Sequence, residues 1–376
     1  MSPPRDAIAI AEKVLTVLEL GSFSATYKYA LFTAILDVCI ERSGPDGPPD
    51  VLTTDQLAEK VVELYWPHAV PFEGTRVLRQ GGVRDGNQAE ILSAIQRFRE
   101  RHARDPDVPV FRARLDQPVA FGRLLDTVEW KLIEMPIPRL QVVGREEDRF
   151  LYEYGWDQRV SRATVAAKQR GEPSSFDNTL RFLPGVTDAL VRLNGVLRPI
   201  VHREWALKVA AMNDLPESRL ETFLFGADRI PLGRVRGPLR DIQAGRCFYC
   251  DRALGEPGEV DHFIPWARYA DNGLDNLVAA HQRCNGNKRD FLAAADHVEH
   301  LVERNRRDAS ALDEIARAES WTRDRRRSTA VGIALYSRLP DTARVWKTSG
   351  ELVPFERGRV LAALEALREP VEQLPR

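Results

Sequence analysis

The stretch CFYCDRALGEPGEVDHFIPWARYADNGLDNLVAAHQRCNGNKRD, from Cys247 to Asp290, concentrates residue types that the rest of the chain uses sparingly. It holds three of the four cysteines and two of the seven histidines of a 376-residue protein. Cys247 and Cys250 form one short pair, and His281 and Cys284 form a second pair that begins 31 residues after Cys250. Thiolates and imidazoles at such paired spacing are the preferred ligands of tetrahedral Zn²⁺. We therefore expect these four residues to hold a structural zinc ion.

A second group of polar residues lies inside the loop that this zinc ion would close. Its members are Asp261, His262, Asn276, Asn285 and Lys288. Hydrolysis of a phosphodiester with one divalent ion requires a carboxylate and a second oxygen ligand for Mg²⁺, together with a base of near-neutral pKa. It also requires a cation or an amide that stabilises the charge of the phosphorane. The stretch supplies each of these groups, so it predicts a metal-dependent phosphodiesterase site.

Residues from about 245 to 291 resemble the HNH endonucleases, a family with a ββα-metal fold, and specifically its zinc-bearing branch. The resemblance rests on the motif DHFIP, on the fourteen residues from His262 to Asn276, on the nine from there to Asn285, and on the flanking cysteine pairs. One position departs from the pattern, because zinc-bearing members usually have cysteine where this chain has His281. Histidine is also a competent zinc ligand, so the expected zinc site is kept.

The resemblance implies a role for each polar residue of the loop. His262 is expected to be the general base, and Asp261 is expected to bind the catalytic Mg²⁺ or Mn²⁺. Asn276 is expected to brace the loop that presents the base. Asn285 takes the place of the last histidine of the HNH name and is expected to be the second ligand of the catalytic metal. Lys288 is expected to face the scissile phosphate.

The composition of the whole chain is that of an ordinary soluble globular protein, with 43% hydrophobic and 29% charged residues. Its net charge of −1 excludes a global basic field, so nucleic acid would have to bind to local patches such as LGRVRGPLRDIQAGR, RNRRD and RDRRRS. The N-terminus lacks the pattern of a signal peptide, and no apolar run approaches the roughly 20 residues of a membrane helix. We therefore expect a cytoplasmic protein with no membrane partner.

Helical periodicity dominates outside the cysteine-rich stretch, with an alternating segment near residues 137–156 that predicts a β-hairpin. The predicted fold class is α+β: a mainly helical, multi-domain chain with a zinc-stapled ββα-metal nuclease domain. The predicted regions are a helical domain at 1–130, a mixed region at 131–234, the nuclease domain at 235–305 and a helical C-terminal region at 306–376. The first region could contain a winged-helix-like element, with plain helical packing as the alternative.

The predicted function is that of an endonuclease that cleaves double-stranded DNA with structural Zn and catalytic Mg or Mn. Residues 1–230 carry no catalytic motif, which favours a recognition or regulatory role that uses DNA, a protein partner or a homo-oligomer. By analogy with bacterial proteins that place an unassigned region before an HNH end, we expect a role in defence against phage or foreign DNA. The alternative is a non-cleaving, zinc-stabilised component that binds nucleic acid within a larger complex.

Overall fold

The protein is described here by a computed structural model in which the chain forms two compact units. Unit 1 comprises residues 1–39 and 49–229, and unit 2 comprises residues 40–48 and 230–376. The described residues are 6–20, 25–44, 46–81, 88–144, 146–157, 159–216, 220–226, 232–255 and 258–368.

Unit 1 is mainly helical. Its helices are α1 (Ala7–Leu20), α2 (Tyr27–Glu41, whose last two residues belong to unit 2), α3 (Thr54–Tyr65), α4 (Glu90–His102), α5 (Val110–Asp116), α6 (Pro118–Glu134), α7 (Pro136–Arg139), α8 (Arg162–Gln169), α9 (Val186–Asn213) and α10 (Leu220–Phe225). Helix α3 shows how the sequence starts such an element: the Thr53 N–H donates to the Gln56 side chain at 3.2 Å. Its apolar positions Leu57 and Val61 are fully buried, and α3 packs against α6.

Five short strands accompany these helices. They are β1 (Val51–Thr53), β2 (Val142–Val143), β3 (Glu146–Glu147), β4 (Tyr152–Tyr154) and β5 (Thr179–Phe182). The predicted hairpin at 137–156 is divided between two sheets, because β2 pairs with β3 whereas β4 pairs with β5. Strand β5 also pairs with β1, which gives an antiparallel sheet in the order β1-β5-β4. This sheet joins the predicted regions 1–130 and 131–234, and the winged-helix-like element stays a prediction.

The core of unit 1 contains a closed polar network centred on Gln80. Its Oε1 accepts hydrogen bonds from the Thr26 hydroxyl and the Trp205 indole N–H, both at 2.8 Å. Its Nε2 donates to His68 Nδ1 at 3.1 Å, and His68 Nε2 donates in turn to the Leu224 carbonyl at 3.0 Å. Thr26 Oγ1 also lies 2.6 Å from the Tyr65 hydroxyl, and the five side chains named are all buried. Such a network stabilises one packing arrangement of the core.

Unit 2 combines helices with two antiparallel hairpins. Its elements are α11 (Gly233–Ile242), β6 (Glu259–His262), β7 (Leu277–Ala280), α12 (Gln282–Lys288), α13 (Ala295–Arg307), α14 (Ala309–Ala318), α15 (Arg325–Ser337), β8 (Arg344–Thr348), β9 (Glu351–Pro354) and α16 (Arg357–Glu365). Strand β6 pairs with β7, with His262 opposite Leu277 and Glu259 opposite Ala280. Helix α12 follows β7 after one residue and packs against β6.

The C-terminal region, predicted to be helical from 306 to 376, also contains the β8–β9 hairpin. Gly350 adopts a φ of 76° in its turn, a conformation that glycine adopts without strain. A shift in register between Trp346 and Thr348 interrupts the alternation that a strand prediction depends on, which explains why the sequence pattern missed this hairpin. The predicted first and last regions extend into residues 1–5 and 369–376, which lie outside the described residues.

The expected α+β fold with a predominance of helix is what the structure has. In the part of the chain that the structure describes, no helix has both the length and the apolar character needed to span a bilayer.

Candidate functional site

The four predicted zinc ligands lie together in unit 2. The ligand atoms of Cys247, Cys250, His281 and Cys284 are all within 4.8 Å of one another. The first two residues lie in the tight turn between α11 and β6, which Asp251 closes with a φ of 54°. The other two lie at the end of β7 and in the first turn of α12. The four predicted ligands therefore bring the segment that precedes β6 close to the segment that follows β7.

The orientation of His281 suits a metal ligand. Its Nε2 donates to the Ala253 carbonyl at 3.0 Å, and its Nδ1 lies 3.3 Å from Cys250 Sγ. A hydrogen bond from the second ring nitrogen is the usual device that fixes the tautomer of a ligating histidine. Burial, and after it the charges of the neighbouring thiols, raise the pKa of Cys284 to about 12. A cation among these sulfur atoms would reverse that effect, so the donor set is compatible with structural Zn²⁺.

Two polar contacts join β6 to α12. Glu259 and Asp261 lie two residues apart on β6 and share a face, and Asn285 and Lys288 lie three apart on α12 and also share a face. Asn285 Nδ2 donates to Glu259 Oε2 at 2.9 Å, and Lys288 Nζ lies 3.0 Å from Asp261 Oδ2. Strand and helix thus present carboxylates, an amide and an ammonium group to one another.

The Asp261 carboxylate is buried and has two donors on the same oxygen. The Tyr249 hydroxyl donates to Oδ2 at 2.5 Å, and the Lys288 ammonium contacts that oxygen as well. Lys288 is 0% exposed and also donates to the His262 carbonyl at 2.8 Å. Burial lowers the pKa of Lys288, and Asp261 opposes this shift. The structure therefore places the lysine against the carboxylate, and its contact with a scissile phosphate stays a prediction.

His262 has different neighbours from Asp261, because adjacent side chains of a strand point to opposite faces. Its Nε2 donates to Asn272 Oδ1 at 2.7 Å, and its ring packs against Trp266 at a centroid distance of 5.1 Å. Burial lowers the pKa of His262, opposed by the hydrogen bond to Asn272 and the charge of Asp261. The imidazole is therefore neutral at pH 7, which is the form that can accept a proton.

Asn276 ties together the loop that follows His262. Its Oδ1 accepts from the Ile264 N–H at 2.7 Å, and its Nδ2 donates to the Asp271 carbonyl at 3.0 Å. Its own carbonyl accepts from the Phe263 N–H at 2.8 Å. The side chain is buried, and the two side-chain contacts and one backbone contact of Asn276 connect it to Phe263, Ile264 and Asp271 of this loop. This geometry suits the bracing role expected from the sequence.

Three residues of the site were not selected by the sequence analysis. Tyr249 lies between the two cysteines of the first pair, where the spacing rule for zinc says nothing about the intervening residues. Glu259 could have been found, because a residue two positions before Asp261 must share its face of a strand. Asn272 has no signal of its own, because it lies in an irregular loop.

Two family models match the chain. Residues 247–294 match the family described as HNH endonuclease, which confirms the resemblance found in the sequence and indicates a nuclease-type function for this segment. Residues 8–223, more than half of the chain, match the family described as a domain of unknown function, DUF8808. The chain belongs to the DUF8808 family. Its DUF8808 region lies mainly in unit 1, and its HNH segment lies in unit 2. No curated protein and no solved structure matches the chain significantly.

Proposed function

We propose that the chain is a metal-dependent endonuclease that hydrolyses phosphodiester bonds in double-stranded DNA. One observation carries the proposal: within the segment that matches HNH endonucleases, a strand bearing Asp261 and His262 packs against a helix bearing Asn285 and Lys288. A carboxylate, a neutral imidazole, an amide and an ammonium group are thereby collected on one small ββα element. These are the groups that hydrolysis of a phosphodiester requires.

The donor set fits a catalytic Mg²⁺ or Mn²⁺. Asp261 and Asn285 would hold it, since carboxylate and amide oxygens are the ligands that these hard cations prefer. Because Glu259 accepts from Asn285 Nδ2, the amide oxygen is the atom that remains to face the cation. A bound ion would supply Lewis-acid stabilisation of the phosphate and of the leaving oxygen.

The other residues act on the attacking water and on the shape of the site. His262 takes the proton from the water, which its neutral state at pH 7 permits. Asn276 holds the loop after His262 and so fixes the direction of the imidazole. A zinc ion on Cys247, Cys250, His281 and Cys284 would hold both ends of the ββα element, and four protein ligands would leave no position for a substrate, so its role would be structural.

For unit 1 we propose a recognition or regulatory role. The support is that most of the DUF8808 region belongs to unit 1, which has its own core and includes none of the residues proposed to carry the chemistry. DNA, a protein partner or a second copy of the chain are the candidate partners, and action against phage or foreign DNA stays a prediction.

The test is cleavage of supercoiled plasmid by the full chain with Mg²⁺ or Mn²⁺, with and without EDTA. Wild type should cut only with the metal, and Asp261→Asn should not cut. The matched control is Asp341→Asn, which changes an exposed aspartate between α15 and β8 of the same unit, outside the basic patches, and should leave cleavage unchanged. Parallel single-stranded DNA and RNA substrates define the substrate class. Retardation of DNA without cleavage under every metal would refute the proposal and support the non-cleaving alternative.

A further inference from the structure

Both the backbone and the ring of Tyr249 are restrained by other parts of unit 2. It lies between Cys247 and Cys250, so the backbone on either side of it carries a zinc ligand. Its ring meets Trp346 edge to face at 5.1 Å and His297 edge to face at 5.3 Å. The side chain is buried, and aromatic contacts of this kind restrict the rotation of the ring. The direction of the Tyr249 hydroxyl is therefore fixed by the fold.

That hydroxyl ends on Asp261 Oδ2, the oxygen that Lys288 also contacts. Among the described residues, Tyr249 and Lys288 thus both contact the same one of the two oxygens of this carboxylate. Two donors on one oxygen fix the plane of a carboxylate that could otherwise rotate. The second oxygen is then the one presented to a cation, as expected of an outer-shell partner that orients a metal ligand.

We propose that Tyr249 is a positioning residue for the catalytic metal: its hydroxyl orients Asp261 and links the structural zinc site to the catalytic metal site. The inference rests on the proposed function, since it takes Asp261 to be a metal ligand. Lys288 has a long side chain with many rotatable bonds and contributes its charge to the contact with Asp261. Tyr249 has a rigid side chain, and its hydroxyl fixes the orientation of the Asp261 carboxylate. Loss of the hydroxyl alone should therefore weaken metal binding while the zinc cluster stays loaded.

The experiment compares Tyr249→Phe with Tyr336→Phe in the full chain. Tyr336 is the matched control, because its buried hydroxyl also donates a hydrogen bond within unit 2, to the Ala293 carbonyl at 2.8 Å rather than to Asp261. Binding of Mn²⁺ is measured from the electron paramagnetic resonance signal of the free ion, and zinc content is measured on the same samples. Tyr249→Phe should bind Mn²⁺ about 10-fold more weakly at unchanged zinc content. Tyr336→Phe should bind it like wild type.

A second pair of variants covers the case in which Tyr249→Phe does not fold. Position 249 is replaced by 4-aminophenylalanine, which keeps a hydrogen-bond donor, or by 4-fluorophenylalanine, which fills the same space without donating. The amino variant should retain Mn²⁺ affinity close to that of wild type, and the fluoro variant should bind Mn²⁺ about 10-fold more weakly. Equal Mn²⁺ affinities in the two variants would overturn the proposal.

Asp261→Asn separates failure of this inference from failure of the proposed function. If Asp261→Asn loses Mn²⁺ binding at wild-type zinc content while Tyr249→Phe keeps it, the positioning role of Tyr249 is wrong and the metal site stands. If Asp261→Asn binds Mn²⁺ like wild type, Asp261 is not a ligand, and the proposed function loses its metal site.

Discussion

Each unit buries a histidine within a polar network, and the two networks differ in kind. His68 of unit 1 is 1% exposed, and its two ring nitrogens are bonded to Gln80 and to the Leu224 carbonyl. His262 of unit 2 is 7% exposed, its imidazole bonds to Asn272, and its carbonyl accepts from Lys288, a fully buried lysine paired with Asp261. The first network consists of neutral groups that satisfy one another, and the second carries charge.

The difference bears on whether a buried polar cluster stabilises the fold or serves a function. A closed neutral network costs little to bury and makes the packing specific. Buried charges cost several kcal/mol even when paired, and replacement of such a pair by apolar residues often stabilises a protein. Stability alone therefore does not explain the Asp261–Lys288 pair, and the proposed metal site supplies a reason for it. The following variants test whether the two networks really divide in this way.

The largest effect is expected from Cys247→Ser, which removes one of the four predicted zinc ligands. Structural zinc contributes about 10–16 kcal/mol of apparent binding free energy in small zinc motifs, so unit 2 should lose its fold and cleavage should cease. Calorimetry and zinc analysis measure this, and the transition of unit 1 should persist. Cys39→Ala is the control, because Cys39 is a buried thiol of unit 1 outside the cluster. Full zinc content in Cys247→Ser would contradict the zinc site.

His262→Ala should lower the single-turnover cleavage rate by about 10²- to 10⁴-fold, which is the usual contribution of a general base. It removes no zinc ligand, so zinc content and thermal unfolding should stay close to those of wild type. Binding of DNA, measured by gel shift, should also persist. A wild-type cleavage rate in this variant would show that His262 is not the base.

His68→Ala should act on stability and leave the chemistry unchanged. It removes the acceptor of Gln80 Nε2 and a donor to the Leu224 carbonyl and opens a cavity, so the free energy of unfolding of unit 1 should fall by about 2–4 kcal/mol. Urea denaturation followed by tryptophan fluorescence measures the change. The cleavage rate, measured well below the unfolding transition, should equal that of wild type. A loss of cleavage at full stability would mean that unit 1 takes part in the chemistry.

The smallest effect is expected from Glu259→Gln. The new amide oxygen can still accept from Asn285 Nδ2, so only the charge-assisted part of the contact is lost. We expect Mn²⁺ affinity to fall about 3-fold, which corresponds to about 0.7 kcal/mol. The Mn²⁺ titration used for Tyr249 measures it. A complete loss of Mn²⁺ binding would show instead that Glu259 is itself a ligand.

Much of the site could be predicted because its determinants are close in sequence. The four predicted zinc ligands and the order β6, β7, α12 lie within one stretch of about 45 residues. Their spacings and periodicity can therefore be read directly from the sequence. The match to HNH endonucleases falls on the same stretch. The roles of Asp261, His262 and Lys288 remain predictions, although the structure brings Asp261 and Lys288 into contact.

The parts that were missed depend on long-range or irregular contacts. Strand β1 finds its partner β5 more than a hundred residues later, and three-residue strands carry too little alternation to reveal that pairing. The contact between Tyr249 and Asp261 depends on how a turn folds back over a strand, which no spacing rule describes. Asn272 reaches His262 from an irregular loop for the same reason.

The burial of Lys288 against Asp261 has an evolutionary consequence. A lineage that replaced the aspartate alone would leave an ammonium group in a dry site without its counter-charge, at a cost of about 3–5 kcal/mol in folding free energy. A lineage that replaced the lysine alone would strand a buried carboxylate. Descendants that abandon catalysis should therefore exchange both positions together, for instance for a pair of apolar residues. Correlated loss of Asp261 and Lys288 would thus be the mark by which inactive descendants are recognised.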